Sequence, residues 1–342
     1  MRRILILGCV LAQALVLVLM AAGREYIVQF GETVYLRTAP LDPRDLLRGD
    51  FVRLDYAIST ISVGQIRGGL QDKDKLKTKG RKVFVALSKN ADGLASFAYA
   101  TDVRPDTGLY IRGRLMRHWR FRNTASAVRV KYGIEQLFVE QGKGIAIEKR
   151  RGGRDALQIP LEVEVALSRS GTGVIKGHRW SRLGIRLEVL RMPRRPRNVP
   201  IDQLEGPLSP KLKVTLKNVS EQPFVLLDPG PHCGFDIVPV KWSQKEYVAA
   251  DGTCRTTPLT DRDVIELAPQ QTYSVEIDLS QPRWHVRDGD AIGEIGRLAQ
   301  NGQFRIVYRA PEPAALNSLS KADHVWLGHL PTRAFNAFGR ID

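Results

Sequence analysis

The chain has 342 residues, room for two or three domains of ordinary size, and 43% of them are apolar and 26% charged, a balance that excludes a disordered chain. Lys and Arg number 52 against 36 Asp and Glu, a formal charge of +16. Three cysteines are too few for a disulfide-dense scaffold or a four-cysteine zinc site.

Met1-Arg2-Arg3 opens the chain, and an apolar run from Ile4 to Ala22 follows, with Gln13 its only strongly polar side chain. As a helix this run spans roughly 28 Å, close to the hydrocarbon thickness of a bilayer. The apolar region of a cleavable signal peptide is about 7–15 residues. A transmembrane signal anchor over residues 1–23 is therefore the expectation, with cleavage at Ala21-Ala22-Gly23 as the alternative. Leu7-Gly8-Cys9 lies too early in the run for a lipoprotein cleavage box. Arg2 and Arg3 keep the amino terminus cytoplasmic, so everything after Gly23 lies on the other side.

Residues 24–190 hold 31 basic and 18 acidic side chains, a net +13. Strand patterns dominate, and no stretch keeps helical apolar spacing for three turns. Val83-Phe84-Val85-Ala86-Leu87 and Val163-Glu164-Val165-Ala166-Leu167 are β-type runs 80 residues apart, each followed by a Gly-containing turn. A second match, 76 residues apart, sets Val52-Arg53-Leu54-Asp55-Tyr56-Ala57-Ile58 against Val128-Arg129-Val130-Lys131-Tyr132-Gly133-Ile134. These echoes predict a duplicated β-unit domain, two units of about 80 residues.

The most specific local feature begins at Asp42. Asp42 suits an N-cap, Pro43 the first helical position, Asp45 the first turn and Arg48 the last, and Gly49 can close the helix. A helix of one or two turns then hands over to a strand at Phe51. Val52, Leu54, Tyr56 and Ile58 point to the core, and Phe51, Arg53, Asp55 and Ala57 point away.

The segment Gly49-Asp50-Phe51-Val52-Arg53-Leu54-Asp55-Tyr56 resembles the signature of the GDYXXLXY family, with Phe51 in place of the first tyrosine. Asp42-Pro43-Arg44, Arg48 and the hydrophobic segment upstream resemble that family too. Lys131-Tyr132-Gly133-Ile134-Glu135, Phe138-Val139-Glu140 and Gly142-Lys143-Gly144 are similar to its second half, so the likeness covers residues 1–185. The resemblance implies a bacterial, single-pass protein of the inner membrane whose bulk lies in the periplasm. Members share no assigned activity. Some occur with, or fused to, multi-span membrane proteins, which implies a partner of that kind. The departure at Phe51 removes a hydroxyl.

Asp42, Arg44 and Asp50 could form a charged cluster, and an envelope hydrolase using it is the alternative reading. The entry to the strand is similar to β-barrel serine peptidases of the signal-peptidase type. Those need a Ser just before the Gly-Asp step and a Lys on a following strand. The helix here has no Ser, and position 42 is Asp. A capped turn with a structural ion pair is the plainer account.

Arg112, Arg114, Arg117, Arg120 and Arg122 alternate with Leu115, Trp119 and Phe121, and Lys73, Lys75, Lys77, Lys79, Arg81 and Lys82 form a second basic run. Such side chains can hold single-stranded nucleic acid, but outside the cytoplasm no nucleic acid is expected. Anionic lipid or a cell-wall polymer is the expected target, against the plainer account of solvated turns and lysine-protected edges.

Met192-Pro193-Arg194-Arg195-Pro196-Arg197-Asn198-Val199-Pro200 is a stiff junction, part of a Pro/Arg-rich linker over residues 191–206. Residues 201–342 carry a net −3. From 207 onward, alternating runs at Lys211–Asn218, Phe235–Val240, Asp263–Leu267, Tyr273–Leu279 and Gln303–Tyr308 predict an antiparallel β-sandwich, weakly similar to bacterial immunoglobulin-like domains. The fold class read from the sequence is thus all-β behind one transmembrane helix. Cys233 and Cys254, 21 apart, read as one disulfide in an oxidising compartment; a metal site with His232 is the rival and lacks ligands. The six histidines include no H-x-x-x-H pair, and no phosphate loop or dinucleotide fingerprint is present, so no metal and no cofactor are expected. Trp242, Trp284 and Trp326 would support a carbohydrate-binding module if they formed an exposed stripe. The leading expectation is a non-catalytic, membrane-anchored envelope protein.

Overall fold

The computed structural model describes residues 2–38, 51–71, 80–90, 92–116, 127–141, 143–153, 156–193, 200, 203–230, 232–240, 254, 259–288, 290–311, 316 and 319–341. The first element, α1, runs Arg2–Phe30 without a break, so the helix passes through Ala21-Ala22-Gly23 and continues seven residues past Gly23. Its stretch Ile6–Phe30 is long and apolar enough to cross a membrane and is not buried in the protein. Only its last turn meets the sheet: Ile27 and Val28 are partly covered.

One residue, Gly31, separates α1 from strand β1 (Glu32–Arg37). Its amide donates to the Ile27 carbonyl at 2.8 Å, closing the helix. A Cβ at Gly31 would collide with that same carbonyl and lie 3.0 Å from the Leu167 carbonyl, so glycine is what allows the helix to turn directly into the sheet.

By chain contacts the molecule divides into two compact units, the first comprising Met1–Asn123, Ala127–Val139 and Leu161–Arg179 and the second mainly Glu140–Pro160 and Trp180–Asp342. In the first unit, β5 (Lys82–Lys89), β6 (Leu94–Thr101), β7 (Leu109–Leu115), β8 (Ala127–Lys131), β10 (Leu161–Leu167) and β11 (Gly173–Trp180) join β1 and β3 (Thr60–Ser62) in a sheet of order β11-β10-β1-β6-β5-β7-β8-β3. β1 is antiparallel to β10 over six residues and parallel to β6. β10 is buried along nearly its whole length, although Glu162 and Glu164 alternate with its apolar residues. The β-type runs at 83–87 and 163–167 lie within β5 and β10, as expected.

The second unit holds β12 (Leu183–Arg191), β13 (Lys211–Asn218) and β17 (Thr272–Asp278) in one antiparallel sheet, and β15 (Phe235–Pro239), β20 (Gln303–Arg309), β21 (His329–Pro331) and β22 (Phe335–Asn336) in another. Leu187, Leu212, Val214, Leu216, Ile277, Phe235, Phe304, Ile306 and Tyr308 of these sheets share one apolar core. Trp284 and Trp326 lie in that core, at 4% and 3% exposure, and contribute no exposed aromatic stripe; Trp242 lies outside the described residues.

Two elements differ from the sequence reading. β12 falls in the stretch 24–190 assigned by charge to the first domain, yet it pairs with β13 from Leu183↔Asn218 onward, across the Pro/Arg-rich segment. Charge density tracks surface, whereas domain membership follows strand pairing. A helix, Lys143–Arg151, also stands where only strands were expected. Of its two isoleucines, Ile147 is buried and Ile145 exposed, too little apolar spacing to signal a helix.

Candidate functional site

The signature segment and its later counterpart meet as one antiparallel arrangement. β2 (Phe51–Arg53) pairs with β9 (Gln136–Phe138), Phe51 opposite Phe138 and Val52 opposite Leu137. Farther along, Thr60, Ile61 and Ser62 of β3 face Arg129, Val128 and Ala127 of β8. Between these ladders the Leu54 amide donates to the Glu135 carbonyl at 2.9 Å. Strand form stops at Arg53 and a 3₁₀ turn occupies Ala57–Ser59, but the expected facing holds: Val52, Leu54, Tyr56 and Ile58 are all buried, and Arg53 and Ala57 are exposed.

Two tyrosines lock the middle. The Tyr56 hydroxyl donates to the Ile134 carbonyl and the Tyr132 hydroxyl to the Ile58 carbonyl, each at 2.6 Å. The bonds are reciprocal between the segments that match 76 residues apart: Tyr56 aligns with Tyr132, and Ile58 with Ile134. Burial, and then the Glu135 carboxylate, push both phenols far above their ordinary range; for Tyr132 the Asp55 carboxylate adds to this. Both therefore stay protonated donors, not nucleophiles or bases. Glu135 itself accepts from the Tyr132 and Gly133 amides, at 2.5 and 3.1 Å, and fixes the turn that presents Tyr132. Asp55 pairs with Arg129 at 2.6 Å.

A second polar cluster lies within the β10–β1 pair. Arg37 sits opposite Glu162, both buried, with Nη2 to Oε1 at 2.7 Å. Arg179 on β11 reaches the other oxygen, Nε to Oε2 at 2.8 Å, and its guanidinium stacks 3.7 Å from the centre of the Tyr35 ring. Burial alone would raise the Glu162 carboxyl; Arg37 and then Arg179 outweigh it and hold the group below the usual carboxylate range. Sequence reasoning missed this cluster. Arg37 and Glu162 are 125 residues apart and carry no local signature.

The described part of the signature comprises Phe51, Leu54 and Tyr56, of which Phe51 is placed by its backbone alone. Asp42, Pro43, Arg44, Gly49 and Asp50 lie outside the described residues, as do Arg117, Trp119, Arg120 and Arg122. Arg112 and Arg114 are exposed on the same face of β7. Cys233 and Cys254 form the expected disulfide, with Cα atoms 5.2 Å apart. Beside it the buried Asp228 carboxylate accepts from the Tyr273 hydroxyl at 2.7 Å and the Gly234 amide at 3.0 Å, and meets His232 Nδ1 at 3.1 Å. Among the described residues no group of three His, Cys, Asp or Glu side chains is placed to hold a metal ion.

No curated protein and no solved structure matches the chain. The strands that carry the signature, the paired tyrosines and the later part of the hydrophobic helix ahead of them fall inside one matched region: residues 13–177 of the chain match the model of the GDYXXLXY protein family.

Proposed function

We propose that the chain is a non-catalytic binding protein of the bacterial cell envelope, held in the inner membrane by α1 with its bulk in the periplasm. The observation that carries this reading is α1 itself, an apolar helix exposed up to its last turn that delivers the chain into the sheet after a single residue. The polar groups described here support a binding role over chemistry. Tyr56 and Tyr132 are spent on carbonyls, and Glu162 on two arginines. A multi-span membrane protein or an anionic envelope surface is the proposed partner. The reciprocal tyrosines favour reading the first domain as a duplicated β unit, and the two sheets around one core favour an immunoglobulin-like sandwich for the second.

Photocrosslinkers placed at Phe138 and Val103, both exposed, test the reading in cells. A membrane protein or envelope polymer captured from the outer face supports it. Protease added outside spheroplasts should degrade the chain; a fully protected chain refutes the orientation.

A further inference from the structure

Lys82 of β5, Arg114 of β7 and Lys131 of β8 stand directly opposite one another across three adjacent strands, Lys82↔Arg114 and Arg114↔Lys131. All three are exposed, and their neighbours Val83, Leu115 and Val130 are buried, so the cations share the outer face. Strands lie about 4.8 Å apart, so the row spans roughly 10 Å. Among the described residues none of the three has a carboxylate partner; Arg114 donates to the Gly80 carbonyl at 3.0 Å. Arg112, two residues along β7 on the same face, directs its guanidinium to the neutral Thr172 hydroxyl, at 3.0 Å, and Phe84 stands opposite it on β5.

Like charges opposite each other across strands destabilise a sheet. Edge protection does not account for this row, because β5 and β7 are interior strands. The fold thus keeps an unfavourable charge row across interior strands of a sheet, where a bound anion would relieve it. The Gly80 amide bonds the Leu115 carbonyl and the Leu115 amide the Arg81 carbonyl, both at 2.9 Å, which ties the chain ahead of β5 to the end of β7.

The row lies at the end of the sheet opposite α1. From Glu32, the register passes through Tyr35↔Leu94 and Phe84↔Thr101 to Lys82. That is about twelve strand steps of roughly 3.3 Å, close to 40 Å along the strands. The screening length at physiological salt is about 8 Å. Headgroups of the membrane that α1 enters are several such lengths away.

We propose that the Lys82–Arg114–Lys131 row binds a linear polyanion bearing repeated phosphate or carboxylate groups, presented away from the membrane that anchors the chain. The placement of the polymer rests on the anchored reading above; the binding itself does not.

The test uses the full chain in nanodiscs of zwitterionic phosphatidylcholine, with fluorescent inorganic polyphosphate and poly-L-glutamate as separate probes. The wild-type chain should bind at least one of them, with affinity falling steeply as salt rises. The triple variant Lys82→Gln, Arg114→Gln, Lys131→Gln should bind at least tenfold more weakly and melt at a higher temperature, since the repulsion is gone. Lys89→Gln, at the α1 end and paired with Glu32 at 3.3 Å, should bind as the wild type does. The probe that responds to the triple variant identifies the anion as phosphate or carboxylate. A folded triple variant with unchanged affinity overturns the proposal. So does a wild-type chain that ignores both polymers, including one that instead clusters phosphatidylglycerol vesicles. Flotation with neutral liposomes reports the anchor independently: a chain that binds polymer but does not float loses the anchored reading and keeps the row.

Discussion

Tyr56 and Tyr132 each exchange a hydrated hydroxyl for one buried carbonyl, and the exchange is favourable only while both ends of the bond are present. Tyr56→Phe or Tyr132→Phe should each lower stability by about 1–2 kcal/mol, read as a shift in the urea midpoint. Both phenols titrate above their ordinary range when folded. The stability they contribute is therefore complete below the unfolded value, about 10, and is lost as pH rises toward the folded values. Glu162 works in the opposite sense. Its folded carboxyl lies below the usual range, so its contribution is present above about pH 4.3 and is lost as pH falls through the folded value. Glu162→Gln leaves Arg37 buried without its counter-charge and should cost about 3–5 kcal/mol at neutral pH, with less further loss on acidification than the wild type shows. Equal acid sensitivity in the two proteins would refute this role. The tyrosines were legible in the sequence as two similar segments, because each sits in an alternating apolar pattern. Their mutual bonding was not, since a donor's partner depends on register, which local pattern does not specify.

At the scale of elements, the disulfide joins Cys233, just ahead of β15, to Cys254, between β15 and the strand β16 (Val264–Leu267), and so closes a loop that contains β15 from residues 21 apart in the chain. Its reduction should remove about 3 kcal/mol of stability by the chain-entropy argument. Thermal melts with and without reductant measure this, and coincident midpoints would count against a stabilising bridge. The strands that the sequence disclosed are those with one face buried, such as β13 and β20, where apolar residues alternate. β2 starts at Phe51, where the sequence predicts a strand, but its three-residue partner β9 is defined by that pairing, which no window of that length reveals. β12 lies ahead of the proline-rich stretch and so was not read as a member of the second unit. A proline-rich stretch looks like a boundary, and here the chain crosses it and pairs back.

For the whole molecule, the helix at the amino terminus and the charge contrast between residues 24–190 and 201–342 were plain from composition. The placement of that charge was not, because the row of cations is assembled from strands that are neighbours only in the sheet. Leu11→Arg together with Val16→Arg puts two charges inside α1, at a cost of about 5 kcal/mol or more for a spanning helix, and should shift the chain from the membrane fraction to the soluble one. Retention in the membrane after carbonate washing would refute α1 as the anchor. The single-residue junction at Gly31 has a mechanical consequence. Any force applied through the helix reaches β1 undamped, since no slack linker intervenes. β1 is held along six residues by β10, so the load falls on those hydrogen bonds together, in shear, instead of peeling them one at a time.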